Sequence, residues 1–196
     1  ACDRGLETDH HALALGGGLD HGAGVLQAVR LRYNLGEALH RFIDNGKLVL
    51  GICNGFQALV NLGFLPGFDG DYRSRKVALT YNDCGNFRDD WVTLSVDTDS
   101  PCIFTRGIER IDLPVRHGEG KFYAETAVIE RLTSAKQVVM RYAAPAGQPA
   151  GRQFPYNPNG SVDDIAGICD PSGRVFGLMP HPEAYNHFTN QPLWSR

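Results

Sequence analysis

The chain has 196 residues, 42% of them hydrophobic, which is enough to bury the core of one globular domain. We therefore expect residues 1–196 to form a single domain. The formal net charge is −3, and the Lys and Arg residues are scattered rather than gathered into a basic stripe, which argues against a nucleic-acid-binding protein. No apolar run is long enough to span a membrane, and the N-terminus lacks the basic-then-apolar order of a signal peptide.

The five cysteines are odd in number and form no C-x-x-C pair. This usage argues against a disulfide framework and against a zinc ribbon. It favours a reducing environment, so we expect a cytoplasmic protein.

The first third of the chain predicts alternating helix and strand. Residues 25–45 carry mixed helical spacing, and residues 47–52 (KLVLGI) form a short apolar run typical of a buried parallel strand. Residues 56–62 predict a helix that stops at Gly63. No convincing strand occurs in residues 1–12, so we expect the N-terminal elements of the fold to be incomplete.

The rest of the chain has the character of β-structure. Apolar residues alternate or run between turn residues in four segments, which are 76–81, 91–96, 111–115 and 138–143. Residues 165–169 and 174–179 flank the turn sequence DPSG and predict a β-hairpin, whereas the Pro- and Gly-rich residues 144–160 predict a loop. The mixture indicates an α/β fold whose sheet has an added antiparallel portion.

Cys53 lies in the sequence Gly51-Ile52-Cys53-Asn54-Gly55, between a predicted strand and a predicted helix. In this context G-x-C-x-G predicts a nucleophile elbow with Cys in place of Ser. The glycines allow a sharp turn, the helix N-terminus is expected to favour the thiolate, and the backbone N–H of Asn54 can serve as half of an oxyanion hole. A buried structural cysteine is the alternative interpretation.

A cysteine nucleophile needs a base, and His181 is the strongest candidate among the seven histidines. It follows the last predicted strand in the sequence MPHPE, with Glu183 two positions further on. If both side chains project the same way, Glu183 accepts the Nδ1–H of His181 and leaves Nε2 free to face a thiol. A rigid turn with an incidental charge is the alternative.

The order Cys53, His181, Glu183 and its surrounding motifs resemble the class I (triad-type) glutamine amidotransferases. Within that class the resemblance is to the glutaminase component of phosphoribosylformylglycinamidine synthase, a purine-biosynthesis enzyme. The motifs that carry it are GICNGFQ, VRHGEGKF at 115–122, NPNGS at 157–161 and GLMPHPE at 177–183. The resemblance implies a flavodoxin-like α/β fold, with a mixed sheet and helices on both of its faces.

The resemblance also implies roles for particular residues. Cys53 is expected to attack the side-chain amide of glutamine and form a thioester, with His181 as general base and acid and Glu183 as the orienting carboxylate. A second oxyanion donor comes in this family from a glycine pair after an early strand. Gly17 and Gly18 are the candidates for that pair.

Four further residues match positions near the active site of the family. Asn54 follows the nucleophile, and Gln57 matches a contact to the substrate glutamine, although a residue that packs the helix start is the alternative. His117 and Glu119 belong to a segment expected to contact glutamine or a synthetase partner. An ordinary hydrogen-bonded loop histidine is an equal alternative for His117.

The sequence contains no Walker loop and no acidic cluster that predicts a metal site. We therefore expect no cofactor and no metal in this chain, and we expect ATP and Mg²⁺ to be used by a synthetase subunit or domain that receives the ammonia. A small accessory subunit is left open as a further partner. The alternatives are an amidotransferase of the same class that feeds a different synthase, a flavodoxin-like cysteine hydrolase, and a regulatory binding module, which the complete triad disfavours.

Overall fold

The structure is a computed structural model, and it describes residues 12–15, 22–192 and 194–195. Its helices are α1 (Ala23–Asp44), α2 (Asn54–Leu62) and α3 (Thr126–Ser134). Its strands are β1 (Ala12–Leu15), β2 (Leu48–Ile52), β3 (Ala78–Tyr81), β4 (Arg88–Val96), β5 (Arg110–His117), β6 (Glu119–Tyr123), β7 (Val138–Ala143), β8 (Ile165–Cys169) and β9 (Val175–Leu178). No helix within these described ranges is long and apolar enough to cross a membrane.

Among the described residues, seven strands form one mixed sheet in the order β1-β2-β9-β8-β7-β4-β5. The first three of these strands are parallel, and every later pair in the order is antiparallel. β3 and β6 form a separate antiparallel pair. This arrangement confirms the predicted α/β fold, the mixed sheet and the β8–β9 hairpin.

The described part of the chain opens with a βα unit, whereas residues 1–11, in which no strand was predicted, lie outside the described ranges. β1 pairs in parallel with β2, with Ala12 opposite Leu48 and Leu15 opposite Gly51, and α1 connects the two strands. The strand escaped prediction because its sequence, ALAL, is short and has no β-branched or aromatic residue. β6 and α3 were also not predicted.

Two glycines let α2 press against the centre of the parallel strands. Gly51 of β2 and Gly177 of β9 are direct partners in the sheet register. A Cβ on Gly177 would lie 2.1 Å from the Phe56 ring, and a Cβ on Gly51 would lie 2.7 Å from the Gly55 carbonyl oxygen. The bare backbone at both positions therefore brings the first turn of α2 close to the sheet, directly after Cys53.

The NPNGS segment forms a buried polar network that supports β6. The Asn157 side chain donates to the backbone oxygen of Ser161 at 2.9 Å, and the Ser161 hydroxyl donates to the side-chain oxygen of Asn159 at 2.7 Å. Asn159 then donates from Nδ2 to the Gly120 carbonyl at 2.9 Å, while the Phe122 N–H donates to the Ser161 hydroxyl at 3.0 Å. These bonds hold the strand that follows His117 in place.

Candidate active site

Cys53 occupies a strained turn between β2 and α2. Its backbone angles are φ 52° and ψ −107°, in the positive-φ range that residues other than glycine rarely adopt. Such a conformation costs about 1–3 kcal/mol and is typical of functional sites. The Cys53 N–H donates to the Leu178 carbonyl at 2.9 Å, and the Gln57 N–H donates to the Cys53 carbonyl at 3.1 Å, so both the sheet and the helix hold the turn.

His181 lies just beyond the end of β9 with its ring held by a carboxylate. Its backbone N–H donates to the Pro114 carbonyl of β5 at 2.8 Å. The Nδ1 atom lies 2.6 Å from Glu183 Oε1, so Nδ1 carries the proton that the carboxylate accepts. The Nε2 atom is buried and has no hydrogen-bond partner in the described part of the chain. This is the arrangement that the spacing of MPHPE predicted.

The sheet brings Cys53 and His181 to one edge. β2 and β9 are adjacent and parallel, with Ile52 opposite Leu178, so their carboxyl ends coincide. Cys53 follows Ile52 directly, and His181 follows Leu178 after a short turn. The Glu183 charge acts on the Cys53 thiol, which agrees with this closeness.

At Cys53, burial opposes the thiolate, whereas the helix N-terminus favours it as expected. Burial, opposed by the Asn54 backbone N–H and assisted by the Glu183 charge, raises the pKa of the thiol to about 11. The helix N-terminus does favour the thiolate, but the loss of hydration in a buried turn outweighs it. A nucleophile at this position therefore needs a base to remove its proton.

His117 lies at the end of β5, near His181. The residue is 3% exposed, and its Nδ1 atom lies 3.2 Å from the Asn82 side-chain oxygen. Its Nε2 atom is buried and lacks a partner within the described residues. Burial, and to a smaller degree the charge of His181, lower the pKa of His117 to about 4. The ring is therefore neutral at physiological pH.

Gln57 and Glu119 join the two helices to β6. The Gln57 Nε2 donates to the Glu119 carbonyl at 3.2 Å, and the Glu119 carboxylate accepts the Gly22 N–H at 3.3 Å, where α1 begins. A Cβ on Gly24 would lie 2.5 Å from the Gln57 Oε1, so α1 and α2 are in close contact here. Asn54 is buried as the first residue of α2.

Two predicted residues lie outside the described ranges, and two others were missed. Gly17 and Gly18 belong to residues that the structure does not describe. Asn82, which holds His117, follows β3 and looks in the sequence like an ordinary turn residue.

Tyr142 is fully buried on β7, and its hydroxyl accepts the Asn159 Nδ2–H at 3.3 Å. Burial, and to a smaller degree the Cys53 charge, raise the pKa of Tyr142, and the strand pattern gave no sign of this proximity.

The part of the chain that the structure describes contains no set of metal ligands. No group of three or more His, Cys, Asp or Glu side chains there could hold a metal ion. The polar groups around Cys53 instead form a proton-transfer arrangement: a buried thiol, an imidazole with an available Nε2, and a carboxylate behind it.

Comparison with known proteins defines the class. The family model of the CobB/CobQ-like glutamine amidotransferase domain matches residues 8–196. The fold agrees with this class: a glutamine amidotransferase from Thermotoga maritima has a TM-score of 0.54 at 18% identity, covering 92% of this chain and 59% of that one.

Closer relatives narrow the class. A phosphoribosylformylglycinamidine synthase subunit PurQ of Dehalococcoides mccartyi is 46% identical over 179 residues, which are 91% of this chain and 68% of the relative. A PurQ subunit of Methanococcus maripaludis is 42% identical over 189 residues, or 94% of this chain and 69% of the relative. The structure of PurLQS from Thermotoga maritima matches with a TM-score of 0.67 and 33% identity, covering 92% of this chain and 72% of that one. The chain therefore belongs to the PurQ family of glutamine amidotransferases, which confirms the resemblance.

Proposed function

We propose that this chain is the glutaminase component of a phosphoribosylformylglycinamidine synthase. It hydrolyses glutamine to glutamate and delivers the ammonia to an ATP-dependent synthetase in purine biosynthesis. The observation that carries the proposal is the meeting of the Cys53 elbow with the His181–Glu183 pair at the carboxyl ends of two neighbouring parallel strands. The names of the PurQ relatives support the choice of synthase.

The first half of the reaction forms a thioester. His181 Nε2 removes the Cys53 thiol proton as the sulfur attacks the γ-carboxamide carbon of glutamine, and Glu183 stabilises the imidazolium that results. A base is required because the pKa of the thiol is about 11. The developing oxyanion is stabilised by the Asn54 N–H and by a second donor from Gly17 or Gly18.

The second half releases both products. His181 returns its proton to the amide nitrogen, the carbon–nitrogen bond breaks, and ammonia leaves the γ-glutamyl thioester. His181 then removes a proton from water, the hydroxide attacks the thioester, and the thiolate leaves and regains the proton from His181. Glutamate departs, and the enzyme returns to its starting protonation state.

The partner of this reaction is a synthetase subunit or domain, where ATP and Mg²⁺ activate the acceptor of the ammonia. The chain itself requires no cofactor for the steps above, and we infer that it acts in the cytoplasm as one glutaminase domain. Gln57 and Asn54 contact the substrate glutamine, and the segment of His117 and Glu119 contacts glutamine or the synthetase.

Glutamate release from glutamine tests the proposal. It is measured for wild type and for Cys53→Ala, with and without a formylglycinamidine ribonucleotide synthetase, its nucleotide substrate and ATP. We expect release that depends on Cys53 and increases with the synthetase, because premature hydrolysis wastes glutamine. Cys84→Ala, which removes an exposed thiol, is the matched control and should behave as wild type. Release that survives Cys53→Ala would remove the nucleophile, and no release with the partner present would remove the function.

A further inference from the structure

The hydrogen bonds around His117 determine which of its ring nitrogens carries the proton. Asn82 donates from Nδ2 to two backbone carbonyls, that of His117 at 2.8 Å and that of Asn86 at 3.0 Å. Because Nδ2 faces these two acceptors, Oδ1 is the atom turned to the His117 ring at 3.2 Å. Oδ1 can only accept, so Nδ1 of His117 carries the proton and Nε2 is an acceptor.

This acceptor is buried without a partner in the described ranges, and the ring lies near enough to His181 to feel its charge. The His117 ring packs against Gly120, where a Cβ would lie 2.8 Å both from Nδ1 of His117 and from the terminal carbon of Met179. Met179 precedes His181 by one proline. A buried acceptor is normally paired, so an empty one beside a reaction centre indicates that a ligand supplies the donor.

We propose that His117 Nε2 accepts a hydrogen bond from the carboxamide N–H of the substrate glutamine and so positions the leaving nitrogen. This inference rests on the proposed function. The carboxamide oxygen is taken by the oxyanion donors, which leaves two N–H groups to be oriented. The leaving nitrogen becomes pyramidal in the tetrahedral intermediate. Because one of its N–H groups is held by His117, its lone pair turns towards the protonated Nε2 of His181. His181 must donate its proton to that lone pair before the carbon–nitrogen bond can break.

The same contact separates substrate from product. The product glutamate presents carboxylate oxygens, which only accept hydrogen bonds, to the lone pair of His117 Nε2. Two acceptors that face each other repel, whereas the carboxamide supplies the donor that the site lacks. His117 therefore favours binding of glutamine and departure of glutamate.

Two substitutions and two substrates test the inference in the complex with the synthetase and its substrates. His117→Asn keeps a donor for Asn82 but removes the acceptor at the position of Nε2, whereas His117→Gln extends an amide oxygen to about that position. The substrates are glutamine and γ-glutamyl methyl ester, whose leaving oxygen has no hydrogen to donate. We expect His117→Asn to lower kcat/KM about 30-fold for glutamine and less than about threefold for the ester, as for one lost hydrogen bond.

His117→Gln should recover most of the activity on glutamine, and His117→Asn should be inhibited more strongly by glutamate than wild type. Equal losses on glutamine and on the ester would mean that His117 only supports the structure, and unchanged activity on glutamine in His117→Asn would mean that no contact is made; either result overturns the inference. If wild type itself shows no Cys53-dependent glutamate release, the proposed function fails and the inference fails with it. Failure of the inference alone is distinguishable from this result, because wild type then still releases glutamate.

Discussion

His181 and His117 are two imidazoles with the same local plan and different partners. Each holds Nδ1 against a side-chain oxygen, and each has a buried Nε2 with no partner among the residues that the structure describes. The oxygen beside His181 belongs to the carboxylate of Glu183, whose side chain is 54% exposed. The oxygen beside His117 belongs to the neutral amide of Asn82, which is 3% exposed.

The charge of that oxygen decides what each ring can do. A carboxylate stabilises the imidazolium, so His181 can take a proton and return it. A neutral amide offers no such stabilisation, and burial lowers the pKa of His117 to about 4, so this ring keeps one protonation state through the reaction. A proton carrier and a fixed acceptor can thus be made from the same residue type a short distance apart.

Exchanging the carboxylate of Glu183 for an amide is expected to have the largest effect. Glu183→Gln gives His181 the kind of partner that His117 has, so the imidazolium loses its counter-charge and the Gln amide can hold either ring tautomer. We expect kcat for glutamine to fall about 10²- to 10³-fold, less than for a fully buried carboxylate because water reaches Glu183.

The measurement is steady-state glutamate release in the synthetase complex, with thermal unfolding as the check that the variant is folded. Glu183→Asp is the matched control, since it keeps the charge and shortens its reach. A loss of less than about threefold in Glu183→Gln would mean that the carboxylate does not support proton transfer.

The sequence was sufficient for the elbow and for the His181–Glu183 pair because both are local. Gly51, Cys53 and Gly55 encode the turn within a few residues, and a carboxylate two positions after His181 can reach its own ring. The parallel strands that unite them were predictable from the apolar run before Cys53 and from the hairpin near the C-terminus. Strand β1 was missed because four Ala and Leu residues carry little strand signal.

The partner of His117 could not be predicted because it is not local. Asn82 and His117 are 35 positions apart, and they meet only when β3 has paired with β6. The burial of the Cys53 thiol could not be predicted for a related reason: a sequence shows that a helix begins after Cys53 but not how deeply the turn is buried. NPNGS served only as a family motif, and its hydrogen bonds to β6 appear in three dimensions.

The neutral state of His117 makes the stability of the protein depend on pH. The pKa of His117 falls from 6.5 to about 4 on folding, so between these values the unfolded chain binds more protons than the folded one. As far as His117 is concerned, the free energy of unfolding is therefore highest above about pH 6.5 and decreases as the pH falls towards 4. At about pH 4.5 we expect His117 alone to account for a loss of about 2–3 kcal/mol relative to neutral pH.

Urea unfolding of wild type and His117→Gln at the two pH values isolates this contribution. Other titrating groups contribute equally to both proteins, so the difference between the two pH-dependent losses belongs to His117. An identical loss in wild type and His117→Gln would show that His117 can be protonated in the folded protein without cost.

The smallest effect is expected one position beyond Asn82. Asp83 pairs with Lys121, and its side chain is 54% exposed, so water and salt screen its charge. Asp83→Asn should change stability by less than about 1 kcal/mol and glutamine turnover by less than about twofold.

Asn82→Asp places a carboxylate one residue before Asp83, where it gives His117 the kind of partner that His181 has. This change should raise the pKa of the His117 ring, so that turnover falls as the medium becomes acidic. NMR titration of the His117 ring in both variants measures the difference, and equal pKa values would mean that the position of the carboxylate, and with it the contrast between the two histidines, has no influence on His117.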